Sequence, residues 1–392
     1  MDNNSSNKTA QDLSRSLEVF DVAIVGGGLA GLALSIQLSK KGYKVILFEK
    51  EKYPFHKVCG EYISLEAWNF LKSLGLPLDE WKLPVIKKLQ VSSSGGKLIN
   101  HILPLGGFGI SRYKIDAALA EIAKEACVQI KEVTKVTNIN FKKEIFTIQS
   151  VAGNFKSKIA VGSFGKRSNL DVKWKRNFIT SGKKSLNNYI GIKYHIQANF
   201  PDDTIALHNF KDGYCGISKV ENDKFCLCYL TTARLLQQNN NSIKAMEQNV
   251  LCQNPYLKKI FVKNSWLYDV PLTISQISFD KKTQVEDHVL MIGDAAGMVT
   301  PLCGNGMSMA LHGSKIAFEV VDKFLQGRSS RTEMEKSYSQ QWRQQFARRL
   351  KTGRVIQELF GHNRLTRIFI SSIKPFPKLI DYLIRRTHGK PF

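Results

Sequence analysis

Apolar positions first become regular at Val19–Val25, where alternation thickens into an unbroken run, the signature of a buried strand. A glycine-rich turn follows at Gly26–Gly31. Leu29–Lys41 then takes helical spacing, with Leu32, Ile36 and Leu38 on its apolar side. Gly42 closes that helix, and Tyr43–Glu49 predicts a second strand. Strand, turn, helix and strand within about thirty residues is the size of a βαβ unit.

The pattern changes further along. Val85–Leu105 reads as two strands around a Ser-Ser-Gly-Gly turn, and Lys114–Ala126 as a helix opened by Ser111 and Arg112. Val133–Ser150 again predicts strands. Lys156–Lys184, dense in Lys, Arg, Gly and Ser, reads as a basic loop or crossover. Tyr189–Leu230 predicts consecutive hairpins and hence an antiparallel sheet. A helix at Asn241–Leu251, a buried strand at Val289–Gly293 and a long helix from Gly304 through Leu325 follow. Thr332–Phe392 is helical and basic, and no internal repeat is visible.

Composition adds one unusual feature to this mixed α/β picture. The 392 residues are 43% hydrophobic and 23% charged, as in an ordinary globular chain, but 57 Lys+Arg against 33 Asp+Glu leave a net charge of +24. Such a field favours anionic partners, among them phosphates and acidic lipid. Nucleic acid is excluded as a partner, because no reader motif and no interleaved surface aromatics accompany the charge. Seven irregularly spaced cysteines predict free thiols in a reducing compartment; Cys226 and Cys228, two apart on a strand, read as core. The polar leader lacks a secretory h-region, and no stretch reaches the ~18 apolar residues of a spanning helix. The expected location is cytoplasmic, with peripheral contact at the inner face of a membrane left open.

Two glycine motifs carry the chemistry. Gly26-Gly27-Gly28-Leu29-Ala30-Gly31 sits between strand and helix, where Gly26 permits the turn, Gly28 admits a pyrophosphate and Gly31 lets helix pack on strand. The diphosphate would rest on the helix N-terminus, and Glu49, at the end of the second strand, would hold a ribose hydroxyl. The second motif, Ile292-Gly293-Asp294-Ala295-Ala296-Gly297 followed by Thr300-Pro301-Leu302-Cys303-Gly304-Asn305-Gly306-Met307, places an acid directly after a buried strand. Asp294 can reach a sugar-like hydroxyl, and the following helix start offers a positive dipole end.

Together these motifs resemble the flavoproteins related to aromatic hydroxylases and geranylgeranyl reductases. Lys57-Val-Cys-Gly-Glu61 is similar to the segment beside the flavin in the reductase branch, and Arg112 in Ser-Arg-Tyr-Lys-Ile-Asp116 matches an arginine that touches FAD. The resemblance implies FAD as cofactor, held by Gly26, Gly28, Leu29, Ala30, Gly31, Glu49, Lys50, Cys59, Gly60, Arg112, Gly293, Asp294, Pro301, Gly304, Gly306 and Met307. It implies NAD(P)H as a transiently bound reductant, and hydroxylation or double-bond reduction of a lipophilic, isoprenoid- or polyketide-like substrate. The implied fold class is α/β. A discontinuous Rossmann-like FAD-binding domain with a parallel sheet (17–62, 111–187 and 283–330) joins an antiparallel β-sheet substrate lobe (63–110 and 188–282). A basic helical C-terminal segment (331–392) completes it.

Two departures stand out. The family's central Asp-Gly…Ser motif is here Phe164-Gly165-Lys166-Arg167-Ser168, without the acid. Its Tyr-x-Trp-x-Phe-Pro strand is here Tyr214-Cys-Gly-Ile-Ser-Lys219, where Gly216 leaves room for a bulky substrate. The paired tryptophans of flavin halogenases are absent, which argues against halogenation. Cys59 reads as a small residue packed on the ring rather than a redox thiol. His101, His195 and His208 read as ordinary strand residues, no catalytic residue is named, and no metal cluster is found. The alternative function is a non-enzymatic descendant that has lost flavin chemistry. Between Gln340 and Phe392, twelve Lys/Arg oppose only Glu358 and Asp381, interleaved with Ile, Leu and Phe. That tail reads equally as an amphipathic element facing an anionic membrane or as a structural cap, and Pro375 and Pro377 should split it into two helices.

Overall fold

A computed structural model describes residues 18–180, 188–360 and 363–392. Two sheets form its frame. The first runs Val285–Glu286, Val289–Met291, Gly153–Gly162, Val19–Val25, Val45–Phe48, Gln129–Lys131, with a hairpin, Val136–Lys142 and Ile145–Ser150, continuing from Gly153–Gly162. Its central pairings are parallel, Val22 standing opposite both Val45 and Ile159. Val22, Ala23 and Ile24 are fully buried, as expected of a strand covered on both faces. The helix Leu29–Ser39 packs on one side together with Gly306–Leu325.

The second sheet holds nine strands. Val85–Ser92 and Leu98–Gly109 form the expected hairpin, and Tyr189–Gln197, Phe225–Thr232, Gly213–Lys219 and Thr204–Phe210 lie antiparallel in that spatial order. One pairing is parallel, Thr204–Phe210 against Val85–Ser92. The helices Ala233–Gln238, Ile243–Asn249 and Pro255–Lys263 cover its outer face through Ile192, Tyr194, Leu227 and Tyr229.

The expected basic loop at Lys156–Lys184 is largely ordered structure, and its first part is a central strand. Only Ile159–Val161 form an apolar run there; Lys156 and Lys158 hide the pattern because they sit at the strand's outer end, Lys158 pairing with Asp21 at 2.8 Å. Ser168 then caps the short helix Asn169–Lys173, and Arg176 is buried on Asp171 at 2.7 Å. Residues 181–184 lie outside the described ones.

The tail is three helices, Arg331–Phe360, Asn363–Ile373 and Pro377–Thr387. The first belongs to the core: Tyr338, Trp342 and Phe346 are buried, and the Tyr338 hydroxyl donates to the Met291 carbonyl. The last two are separated at Lys374–Phe376, with Pro375 in the break and Pro377 opening the last helix.

Candidate cofactor site between the two sheets

Each glycine of the first motif has its own reason. A Cβ on Gly26, at φ +109°, would lie 2.3 Å from the Ser163 carbonyl, so this crossing of adjacent strand ends demands glycine. A Cβ on Gly31 would lie 2.1 Å from the Gly26 carbonyl. At Gly28 the space is different. Nothing comes closer than Arg112 Nη2 at 3.7 Å and Lys57 Nζ at 3.8 Å. Gly28 is thus an opening rimmed by two cations at a helix N-terminus, which makes no side-chain cap. Leu29 and Ala30 are buried in the first helical turn.

The cations are held in place. Arg112 makes a bidentate pair with Asp116 at 2.8 and 2.7 Å, and Lys57 reaches the same carboxylate at 3.0 Å. Burial opposes the Asp116 charge, but Arg112 and Lys57 outweigh it and hold the carboxyl below its usual range. One carboxylate against two cations leaves net positive charge at the opening. Glu49 ends its strand buried, accepting from the Gly27 amide at 2.9 Å and the Glu51 amide at 3.1 Å. Lys50 instead points to solvent beside Glu51.

The second glycine motif meets the first. A Cβ at Gly293, φ +59°, would lie 3.3 Å from the Ala30 side chain. Asp294 is raised above the ordinary carboxylate range by burial, countered by the charges of Lys282, Arg112 and Lys166, so it shares the electrostatic environment of Arg112. Lys282 donates to the Asp294 carbonyl at 2.8 Å and to that of Lys166 at 2.6 Å. Burial pushes both lysines down to about 8. Phe164 stands at the position of the missing acid, with Lys166 two residues on and Lys282 bonded to the Lys166 carbonyl. Gly165, at φ +79°, makes the turn there.

Further along, Met307 in the first turn of Gly306–Leu325 touches Cys59, sulfur to sulfur at 3.7 Å. Burial pushes the Cys59 thiol up, which suits packing over redox chemistry. Gly304, at φ +62°, lies under the Tyr62 ring, and a Cβ there would come within 3.2 Å of it. Gly60 and Pro301 are exposed at the edges of this seam.

Behind Cys59 lies a group the sequence did not announce. Glu61, fully buried and at φ 55°, accepts from the Arg112 amide at 2.8 Å, from His195 Nε2 at 2.6 Å and from the Lys193 ammonium. Burial pushes the Glu61 carboxyl up; the His195 hydrogen bond and the Lys193 charge prevail and keep it low. Cys226 completes a cluster of ligand-type atoms within 4.8 Å of one another. Lys193 already matches the carboxylate, and the Cys226 thiol donates to the Cys59 carbonyl at 3.2 Å. The signal that could have found it is Ile192-Lys193-Tyr194-His195-Ile196: a Lys and a His two apart on one face of an otherwise apolar strand.

His101 and His208 fall elsewhere. His101 meets Asp381 at 2.8 Å, and His208 hydrogen-bonds Ser92 at 2.8 Å on the outer, helix-covered side. A cleft of about 630 Å³ opens there between Ile217, Tyr256 and Ile260, away from both glycine motifs. On the seam side, a Cβ at Gly216 would meet the Leu207 side chain at 3.5 Å and the Cys228 carbonyl at 3.6 Å, ordinary van der Waals contact that admits a methyl and shows no larger space.

Known proteins are similar to this chain in sequence and in fold. Residues 24–58 match the NAD(P)-binding Rossmann-like domain. The chain is 24% identical over 378 residues to conditioned medium factor receptor 1 of Dictyostelium discoideum, covering 84% of this chain and 68% of that protein. It is 24% identical over 347 residues to the digeranylgeranylglycerophospholipid reductase of Methanococcus vannielii, covering 83% of each. Among solved structures, a flavin-dependent brominase superposes with a TM-score of 0.76 at 21% identity, over 94% of this chain and 93% of that one.

Proposed function

The chain has the dinucleotide-binding motif and fold of the FAD-dependent oxidoreductases that include geranylgeranyl reductase-like proteins and flavin-dependent halogenases, and from that premise we propose that it is an NAD(P)H-linked member acting on a lipophilic small molecule. The observation that carries the cofactor is the Gly28 opening: a cradle that a side chain would fill, rimmed by Arg112 and Lys57 and backed by an uncapped helix. FAD fits that donor set. Gly28, Arg112 and Lys57 would take its diphosphate, Glu49 its ribose, and Asp294 the hydroxyls of its ribityl chain. Gly293, Gly304, Gly306, Met307 and Cys59 would line the path of the ring.

Bound there, the flavin supplies hydride transfer or oxygen activation. The chain's own part is to bind, orient and exclude water. Arg112 and Lys57 offset the diphosphate charge, and the N-terminus of Gly306–Leu325 favours negative charge beside it. The parallel sheet with its flanking helices serves in this reading as the FAD-binding domain and the nine-stranded sheet as the substrate lobe. A lipophilic substrate is supported by the likeness to a digeranylgeranylglycerophospholipid reductase.

The test is to purify the protein, release and identify its chromophore, then mix it anaerobically with NADH and NADPH. Bound FAD whose visible absorbance bleaches with either nucleotide supports the reading. Protein that is colourless and takes up no added FAD overturns it in favour of a flavin-free descendant. Isoprenoid substrates offered with and without oxygen then separate reduction from hydroxylation, because only the second consumes oxygen in step with product.

A further inference from the structure

The last two helices leave an apolar surface that the rest of the described chain does not cover. Their inner face is fixed: Ile370 and Ile380 are buried against Ile99, and Ile384 packs beside Tyr62 and Leu103. Their outer face shows Leu365, Ile368, Phe376, Leu379 and Tyr382, between 42% and 62% exposed. Leu365 and Ile368 are three apart, as are Leu379 and Tyr382, so each pair shares a helix face, and Phe376 projects from the link between the helices. Exposed Arg367, Lys374, Lys378 and Arg385 are interleaved with them. Asp381 is the one acid in residues 363–392, against seven Lys and Arg, and it is engaged by His101.

We propose that this face docks the protein on an anionic phospholipid surface. Leu365, Ile368, Phe376, Leu379 and Tyr382 enter the boundary between headgroups and acyl chains. The lysines and arginines lay their apolar stems along the same surface and bring their charges to the lipid phosphates. Each basic residue close to such a surface is worth about fivefold in partitioning at low salt. No helix among the described residues is long and apolar enough to cross a bilayer, so the helices lie on it. Charge decides between lipid and a second copy of the chain. A twofold interface would set this patch against itself, cation against cation, whereas anionic lipid complements it. The proposal rests on the helices' surface and stands whether or not the flavin reading holds.

Truncation would strip Ile99, Tyr62 and Leu103 of their cover, so the test uses substitutions on the outer face of the full chain. Wild type, Ile368→Asp with Phe376→Asp, and Lys374→Glu with Lys378→Glu are sedimented with two kinds of vesicle. One is phosphatidylcholine alone; the other is an equal mixture of phosphatidylcholine and phosphatidylglycerol, in dilute and in concentrated salt. Wild type should pellet with the anionic vesicles in dilute salt and be released by concentrated salt. Both double variants should partition at least tenfold less, with unchanged circular dichroism and flavin content. Three results overturn the proposal: no binding to anionic vesicles, equal binding to neutral ones, or equal binding by the variants. Concentration-dependent dimerisation without lipid, abolished by Ile368→Asp with Phe376→Asp, also overturns it and assigns the face to a second copy.

Discussion

Glu61 and His195 meet in the buried interior, imidazole Nε2 at 2.6 Å from the carboxylate, with neither side chain open to solvent. Lys193 and the Arg112 amide share that carboxylate. Glu61 therefore ties the helix start that carries Arg112 to the strand Tyr189–Gln197 of the second sheet.

Replacing Glu61 with Gln leaves the Lys193 ammonium buried without its counter-charge, a loss on the order of 3–5 kcal/mol. The expected outcome is a lower thermal midpoint, while the Gln carbonyl still accepts from the Arg112 amide and FAD retention changes little. Adding Lys193→Met should recover most of the stability, because the pair is then removed together. The pH sign follows from a folded carboxyl held below its usual value. Its contribution is whole above the ordinary carboxylate range, near 4.3, and is lost as pH falls through the lower folded value. A Glu61→Gln protein as stable as wild type would refute the clamp.

Gly28 and Gly31 should separate binding from folding. The Cβ of Gly28→Val meets only the ends of the Arg112 and Lys57 side chains, at 3.7 and 3.8 Å, and its methyls project into the opening, so the protein should fold and purify without flavin. In Gly31→Ala the new methyl would sit 2.1 Å from the Gly26 carbonyl, so that variant should be recovered poorly or melt early. Circular dichroism and bound-flavin content distinguish the two. Yellow Gly28→Val protein with normal flavin content would remove this loop from the cofactor site.

How much of this was legible depended on whether a pattern was local. The βαβ unit, the hairpin at Val85–Gly109 and the capped start at Ser111 all declare themselves within a dozen residues, through periodicity and one or two punctuating glycines or serines. The strand Gly153–Gly162 did not, because Ile159–Val161 is too short a run to outweigh flanking lysines that only tertiary placement renders harmless. The glycine positions of the site were readable because the backbone approach they permit is a local property. Asp116, Glu61 and Lys193 were not: each is explained only by a partner brought from another element or another turn. A buried Lys two residues from a buried His was the one clue in the chain.

Asp294 should strengthen FAD binding through its carboxylate. Its own buried side chain makes charge costly, while Lys282, Arg112 and Lys166 draw it back toward ionisation. Losing one charge-assisted hydrogen bond costs about 1.5–3 kcal/mol, or roughly ten- to a hundredfold in dissociation constant. Titration of flavin-stripped Asp294→Ala with FAD measures it. An unchanged constant takes Asp294 out of the site.

The chain should lose stability in mild acid through His208. That imidazole is buried between Ser92, which bonds its Nδ1 at 2.8 Å, and the Tyr256 ring, stacked at 5.2 Å. Burial pushes it down to about 4, against an ordinary value near 6.5. The unfolded chain therefore takes up a proton that the folded chain refuses. Its contribution is whole above about pH 6.5 and drains away as pH falls toward 4, by about 1.4 kcal/mol per unit and on the order of 3 kcal/mol in all. His312, pushed down to about 4 by burial and then by the Arg349 charge, acts with the same sign. Urea unfolding at several pH values between 7.5 and 4.5 reads the slope directly. Replacing His208 with Gln keeps a polar partner for Ser92 and should flatten that slope by roughly one proton's worth, leaving the part due to His312. An identical slope in the variant would mean that His208 does take up its proton in the folded protein, and that its stacked, Ser92-bonded position is open to water.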